Sequence, residues 1–208
     1  MKYGIFIIES LGESDDKDGK ILKNILDVCC IESKYSEINT KSQLIEVIEE
    51  FQKSEFRYLH ISCHANVNGF GLNDKSFIKN SEFSEIIGDR IPKRRIFMSA
   101  CEAGNIDLAG KLITINKIYS LIGSPEVIGF DKSLLFYPTL YHILNEHDEM
   151  KMKKKELLKS IRGGVNLFNI PIHYYAFLKK DGIWNENEIR EYIFKPNKKT
   201  KKSYQNVG

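Results

Sequence analysis

RRIFMSACEAGN, residues 94 to 105, decides the fold. Ile96, Phe97 and Met98 form an apolar run with no polar face, the mark of a strand covered on both sides. Ser99 and Ala100 end the run, and then come Cys101, Glu102 and, three positions after the cysteine, Gly104. FRYLHIS, residues 56 to 62, is built the same way and leads through Cys63 to His64. In a sheet of parallel strands, ligands bind beyond the carboxyl ends. Cys101 and His64 are therefore expected on one functional rim.

Outward from these two strands the chain alternates strand and helix. KYGIFII opens with a β-branched and aromatic strand, and Ile21, Leu22, Ile25, Leu26 and Cys29 then recur at helical spacing. YSEIN reads as a strand, and TKSQLIEVIEEFQK as a helix capped by Thr40 or Ser42. After the polar, glycine-containing loop CHANVNGFG come a short helix at EFSEIIGD and the strand RRIFMSA. DLAGKLITIN is expected to be helical and KIYSLIG to be a strand. Two longer helices follow, DKSLLFYPTLYHILNEH and KKKELLKSIRGGVNLF; Pro138 should kink the first or delay its start. Gly163-Gly164 in the second implies close packing or a break. IHYYAFLKK is the last strand, followed by a small appended element.

This order predicts an α/β fold in three layers, a mostly parallel central sheet with helices on both faces. No linker, repeat or low-complexity block interrupts residues 1–195, which read as a single domain, with 196–208 as a basic tail expected to be disordered.

Composition is that of a globular chain of 208 residues, 42% hydrophobic and 28% charged. The formal charge of +3 is local in origin. Residues 195–208 hold five lysines and no acid, so +3 less five leaves −2 for the rest. A phosphate-binding surface spread over the fold is not supported, which weighs against nucleic acid as a partner. The basic start of the second long helix, EMKMKKKELLK, reads as a solvated face, with an acidic partner as the alternative. No secretory signal and no apolar run of membrane-spanning length is present. Cys29, Cys30, Cys63 and Cys101 show neither metal spacing nor a disulfide framework, which fits a reducing, cytoplasmic setting. His60 and His64 share a strand face but stand about 13 Å apart, too far for one ion, so His60 is expected to be a core histidine.

A lone cysteine after an apolar strand is often a buried, inert hydrophobe. The functional alternative is a thiol activated by His64, or by the N-terminus of a helix begun in EAGNIDLAG. The pair of strand ends favours the second reading. YLHISCHANVNGFGLNDKSFIKNSEFSEII (58–87) followed by RRIFMSACEAGN resembles the caspase-like cysteine peptidases, and among them the CHAT-type branch. In that group one apolar strand ends at the histidine, a short hairpin and a small helix follow, and a second strand ends in small-Ala-Cys.

The resemblance implies a caspase-like fold and a peptidase that works by thiolate acyl transfer, with Cys101 as nucleophile and His64 as general base. It implies an oxyanion site of backbone N–H groups from Cys101 and from Ala65, which stands where the family carries glycine. No metal and no cofactor is implied. The partners expected are a protein substrate and, since the first strand is read as starting at residue 3 with no pro-segment before it, a regulatory protein. CHAT-type peptidases serve regulated bacterial responses, including defence. Asp131 falls where arginine- and lysine-preferring relatives keep a specificity acid, and it also suits the cap of the helix that follows. The alternatives of other classes are a catalytically silent module that binds a peptide, and a thiol hydrolase or transferase of small esters or amides.

Overall fold

The computed structural model describes residues 2–148, 153–180 and 183–197. The lysines from Lys198 onward and residues 149–152 of the basic helix start lie outside the described residues. The elements, in chain order, are β1 (Lys2–Ser10), α1 (Asp18–Val28), β2 (Ser33–Glu37), α2 (Lys41–Ser54), β3 (Phe56–Cys63), β4 (Ala65–Asn66), β5 (Gly69–Gly71), β6 (Phe77–Lys79) and α3 (Asn80–Ile87). Then follow β7 (Arg95–Ser99), α4 (Ile106–Gly110), a π-helical turn (Lys111–Ile115), β8 (Ser120–Gly123), α5 (Phe130–Asp148), α6 (Lys154–Phe168), β9 (Ile172–Lys180) and β10 (Ile183–Phe194).

Seven strands form one sheet in the order β2-β1-β3-β7-β8-β9-β10. The five from β2 to β8 run parallel, and β9 and β10 are antiparallel additions. The apolar runs become strands because both of their faces are covered. Phe6, Ile8, Leu59, Ile61, Ile96 and Met98 pack on one side with residues of α2, α3 and α4. Their alternates Ile5, Ile7, Tyr58, Phe97 and Ile122 pack on the other side with α1, α5 and α6. The period-2 alternation of a strand thus feeds two separate cores, and the three-layer α/β arrangement read from the sequence is the one observed.

Thr40 caps α2 in a reciprocal capping box with Gln43. Pro138 lies inside α5, which begins at Phe130 and is not delayed to the proline. The glycine pair does not break α6; a Cβ on Gly164 would stand 2.7 Å from the Phe136 ring, so this glycine lets α6 press on α5. The appended element after β9 proves to be a twelve-residue edge strand, β10. The polar loop after β3 folds into a small antiparallel sheet, β4-β5-β6.

The chain leaves β1 to form β2 on one side and returns to form β3 on the other. That reversal is the topological switch point, where the loops after β1 and β3 part and leave a crevice. His64 follows β3 there. Cys101 follows β7, the next strand in the sheet.

Candidate active site

Parallel pairing of β3 and β7 sets Ser62 opposite Ser99. Counting two residues on from each brings His64 and Cys101 to matching positions past the ends of neighbouring strands. Both line one cavity of about 30 Å³, with Asp18, Ser99, Ile128, Phe130 and Ser133 around it. That volume holds roughly one or two water molecules.

The Cys101 thiol donates to the Ile128 carbonyl oxygen at 3.8 Å. The His64 ring, its side chain 63% exposed, places Nε2 3.1 Å from Asp15 Oδ2 and stands edge-on to Phe130. Among the described contacts the thiol and the ring therefore have separate partners and are not hydrogen-bonded to each other.

The Cys101 loop is held by the segment that follows β8. Glu102 N–H donates to Glu126 O at 3.2 Å, and Gly104 N–H donates to Ser124 O at 2.7 Å. Glu102 has φ 56°, a left-handed conformation that costs a non-glycine residue about 1–2 kcal/mol. Gly104 touches backbone directly: a Cβ there would lie 2.5 Å from the carbonyl carbon of Gly123. The glycine three places after the cysteine is thus required by close approach. α4 starts only at Ile106, and its Asn105 cap accepts from Leu108 N–H at 2.9 Å. The helix expected to aim its N–H groups at the sulfur begins five residues past it, with one of its first-turn donors already occupied.

Ala65 is not among the residues with positive φ, so its place demands no glycine. Gly71 N–H donates to His64 O at 2.9 Å, which makes 64/71 the hydrogen-bonded pair of β4 and β5 and 65/70 the open one. The Ala65 N–H accordingly points away from β5. Asp131 is exposed in the first turn of α5, one residue inside the helix, and does not line the cavity.

The carboxylate that does line the cavity is Asp18, 5% exposed at the start of α1. Ser62 Oγ and Ser99 Oγ, from the ends of β3 and β7, donate to its two oxygens, Ser99 at 2.7 Å, and Ser133 of α5 joins Ser99 at 2.6 Å. Behind it Glu9, fully buried, accepts from Gly19 N–H at 2.7 Å and from Tyr35 OH at 2.6 Å. Burial raises both carboxyls above their ordinary values, against the pull of these donors. Burial likewise pushes the neighbouring Cys63 thiol well up, with the Asp18 charge adding to it. Asp15 shifts the other way, lowered first by the Gly12 N–H and then by His64.

His60 is a core residue, 1% exposed, its Nδ1 3.0 Å from Tyr141 OH, and burial lowers it to about 3. A second, larger cavity of about 640 Å³ adjoins the first through Ile128 and is bounded by Val127, Gly129, Lys132, Pro171 and Lys195.

Sequence reasoning missed Asp15 and Asp18. Both lie in ESDDKD (residues 13–18 follow as ESDDKD in the chain), an acidic run that looks solvated. The available signal was its place directly after the first strand, on the rim that carries His64 and Cys101. Among the described residues no helix is long and apolar enough to cross a membrane. No protein-family model matches this chain, and no curated protein matches it.

Proposed function

We propose that this chain is a cysteine peptidase of the caspase-like, CHAT-type kind. One observation carries the reading: Cys101 and His64 follow the register-matched ends of β7 and β3 and line one cavity beside the switch point. A thiol and an imidazole so placed suit acyl transfer. The thiol proton passes to His64 as Sγ adds to the substrate carbonyl carbon. The C–N bond then breaks and His64 returns the proton to the leaving amine. Water adds to the thioester, giving one proton to His64, and the C–S bond breaks to regenerate the thiol. The N–H groups of Cys101 and Ala65 are the donors assigned to the oxyanion, and the outward turn of the Ala65 N–H supports that role.

The substrate is a protein segment, and the 640 Å³ cavity beyond Ile128 is the space available to it. Because the resting thiol bonds to Ile128 and the cavity at the sulfur is so small, a regulatory partner has something to change. The same resting contact favours the second reading, a silent module that binds a peptide without cutting it. By resemblance the setting is a cytoplasmic bacterial response such as defence.

Alkylation by iodoacetamide near neutral pH, read by mass spectrometry, tests this. Cys30 is exposed and serves as the ordinary thiol, and Cys63 is buried and serves as the protected one. Cys101 should label faster than Cys30 and lose that advantage in His64→Ala. Equal, slow labelling of Cys101 in both proteins would leave the silent module.

A further inference from the structure

The imidazole of His64 has two nitrogens, and only one of them can face a substrate. Its Nε2 is taken up by Asp15 Oδ2 at 3.1 Å. An exposed histidine–carboxylate pair is by itself worth little, but this carboxylate is fixed before it meets the ring. The same Oδ2 accepts from Gly12 N–H at 2.8 Å, and Asp15 N–H closes the turn by donating to Gly12 O at 3.2 Å. The turn is anchored on both sides, by Leu11, 1% exposed, and by the buried Asp18. Lys17 reinforces it by donating to Leu11 O at 2.5 Å while pairing with Glu37. The groups that face the ring are Asp15 from the β1–α1 loop and the Phe130 ring from α5, 6.2 Å away edge-on. Phe130 offers no polar atom.

We infer that Asp15 is the positioning residue of His64, fixing the ring through Nε2–H so that Nδ1 is the nitrogen that exchanges protons with Cys101. The inference rests on the peptidase reading and adds to its cysteine and histidine a carboxylate that the sequence reading did not call for. The chemistry follows from tautomers. With the proton on Nε2 donated to Asp15, the neutral ring carries its lone pair on Nδ1, where it accepts the thiol proton. When the ring becomes cationic, Asp15 is the adjacent negative charge. Asp15 lies 49 residues from His64, and the two meet only because β1 and β3 are neighbours in the sheet.

A double-mutant cycle on the alkylation of Cys101 by iodoacetamide tests it. Asp15→Ala should slow the reaction about tenfold and His64→Ala about a hundredfold. The double variant should be no slower than His64→Ala alone, because a positioning residue acts only through the group it positions. Asp15→Asn keeps an acceptor for the Gly12 turn and should fall between wild type and Asp15→Ala, which guards against a folding artefact. Unchanged labelling in Asp15→Ala would overturn the inference. So would a tenfold loss that persists in the His64→Ala background, since that loss would come from the loop and not from the ring. If His64→Ala itself labels like wild type, the peptidase reading falls, and the separate arm shows which of the two has failed.

Discussion

Gly104→Ala should damage both the fold and the site, and its size follows from the geometry. The added Cβ would stand 2.5 Å from Gly123 C and 2.8 Å from Ser124 C, and closer still to the Gly123 carbonyl oxygen. All of these atoms are backbone, at the end of β8, so no side chain can swing aside. The Cys101 loop would have to retreat by about 1 Å to restore ordinary contact. Overpacking of this kind costs about 1–3 kcal/mol. Weakening the 2.7 Å bond from Gly104 N–H to Ser124 O adds about 1 kcal/mol. The sum, about 2–4 kcal/mol, is a large part of the 5–15 kcal/mol by which domains are stable. Urea titration followed by intrinsic fluorescence would measure it. Gly163→Ala is the control: it lies exposed inside α6 with nothing within 4 Å, and should stabilise by about 0.5–1 kcal/mol. A loop shift of 1 Å can also slow chemistry about a hundredfold, so Cys101 alkylation should fall more than stability alone explains. A Gly104→Ala protein within about 0.5 kcal/mol of wild type would refute the argument that backbone contact dictates this glycine.

Two further expectations concern pH and have opposite signs. His60 is held neutral, its folded value near 3 against an ordinary 6.5, so the stability it contributes is complete above pH 6.5 and is lost as pH falls toward 3. His60→Gln should remove up to about 1.4 kcal/mol per pH unit from that acid slope; parallel slopes in urea titrations at pH 6.5 and 4.5 would exclude it. Glu9 and Asp18 are raised by burial, so the fold favours their protonated forms, and that share of stability is present at low pH and lost as pH rises through the raised values. Relative to the Glu9→Gln/Asp18→Asn double variant, the wild type should lose stability as pH rises above the ordinary carboxylate range, and a constant difference would show that the pair does not titrate in this way.

Continuous apolar runs made most of the fold legible. Ile5–Ile8 and Ile96–Met98 are covered on both faces, and burial of that kind leaves a local mark in the residues themselves; Phe56–Cys63 is as buried but carries Arg57, His60 and Ser62 among its apolar residues. Thr40 was legible for a similar reason, since a cap acts on its own helix. β10 was not, because NENE at 185–188 has no strand pattern; its pairing with β9 shifts register between Asn185 and Ile189. His64 and Cys101 could be picked out because each ends a recognisable strand. Asp15 and Asp18 could not, because what separates them from Asp16 is tertiary. One reaches a histidine 49 residues away, and the other sits under the ends of β3 and β7. Asp131, where the resemblance implies a specificity acid and the sequence also allows a helix cap, is exposed in the first turn of α5.

The segment from Ser124 to Gly129 ties these observations together. Its carbonyls accept from Gly104 N–H, Glu102 N–H and the Cys101 thiol in turn, through Ser124, Glu126 and Ile128. The height of the Cys101 loop, the direction of the sulfur and one wall of the small cavity are therefore set by one stretch of backbone. Ile128 also bounds the larger cavity, so one residue lines both. His64 is held by Asp15 of the β1–α1 loop and packs edge-on to Phe130, the residue that follows this segment.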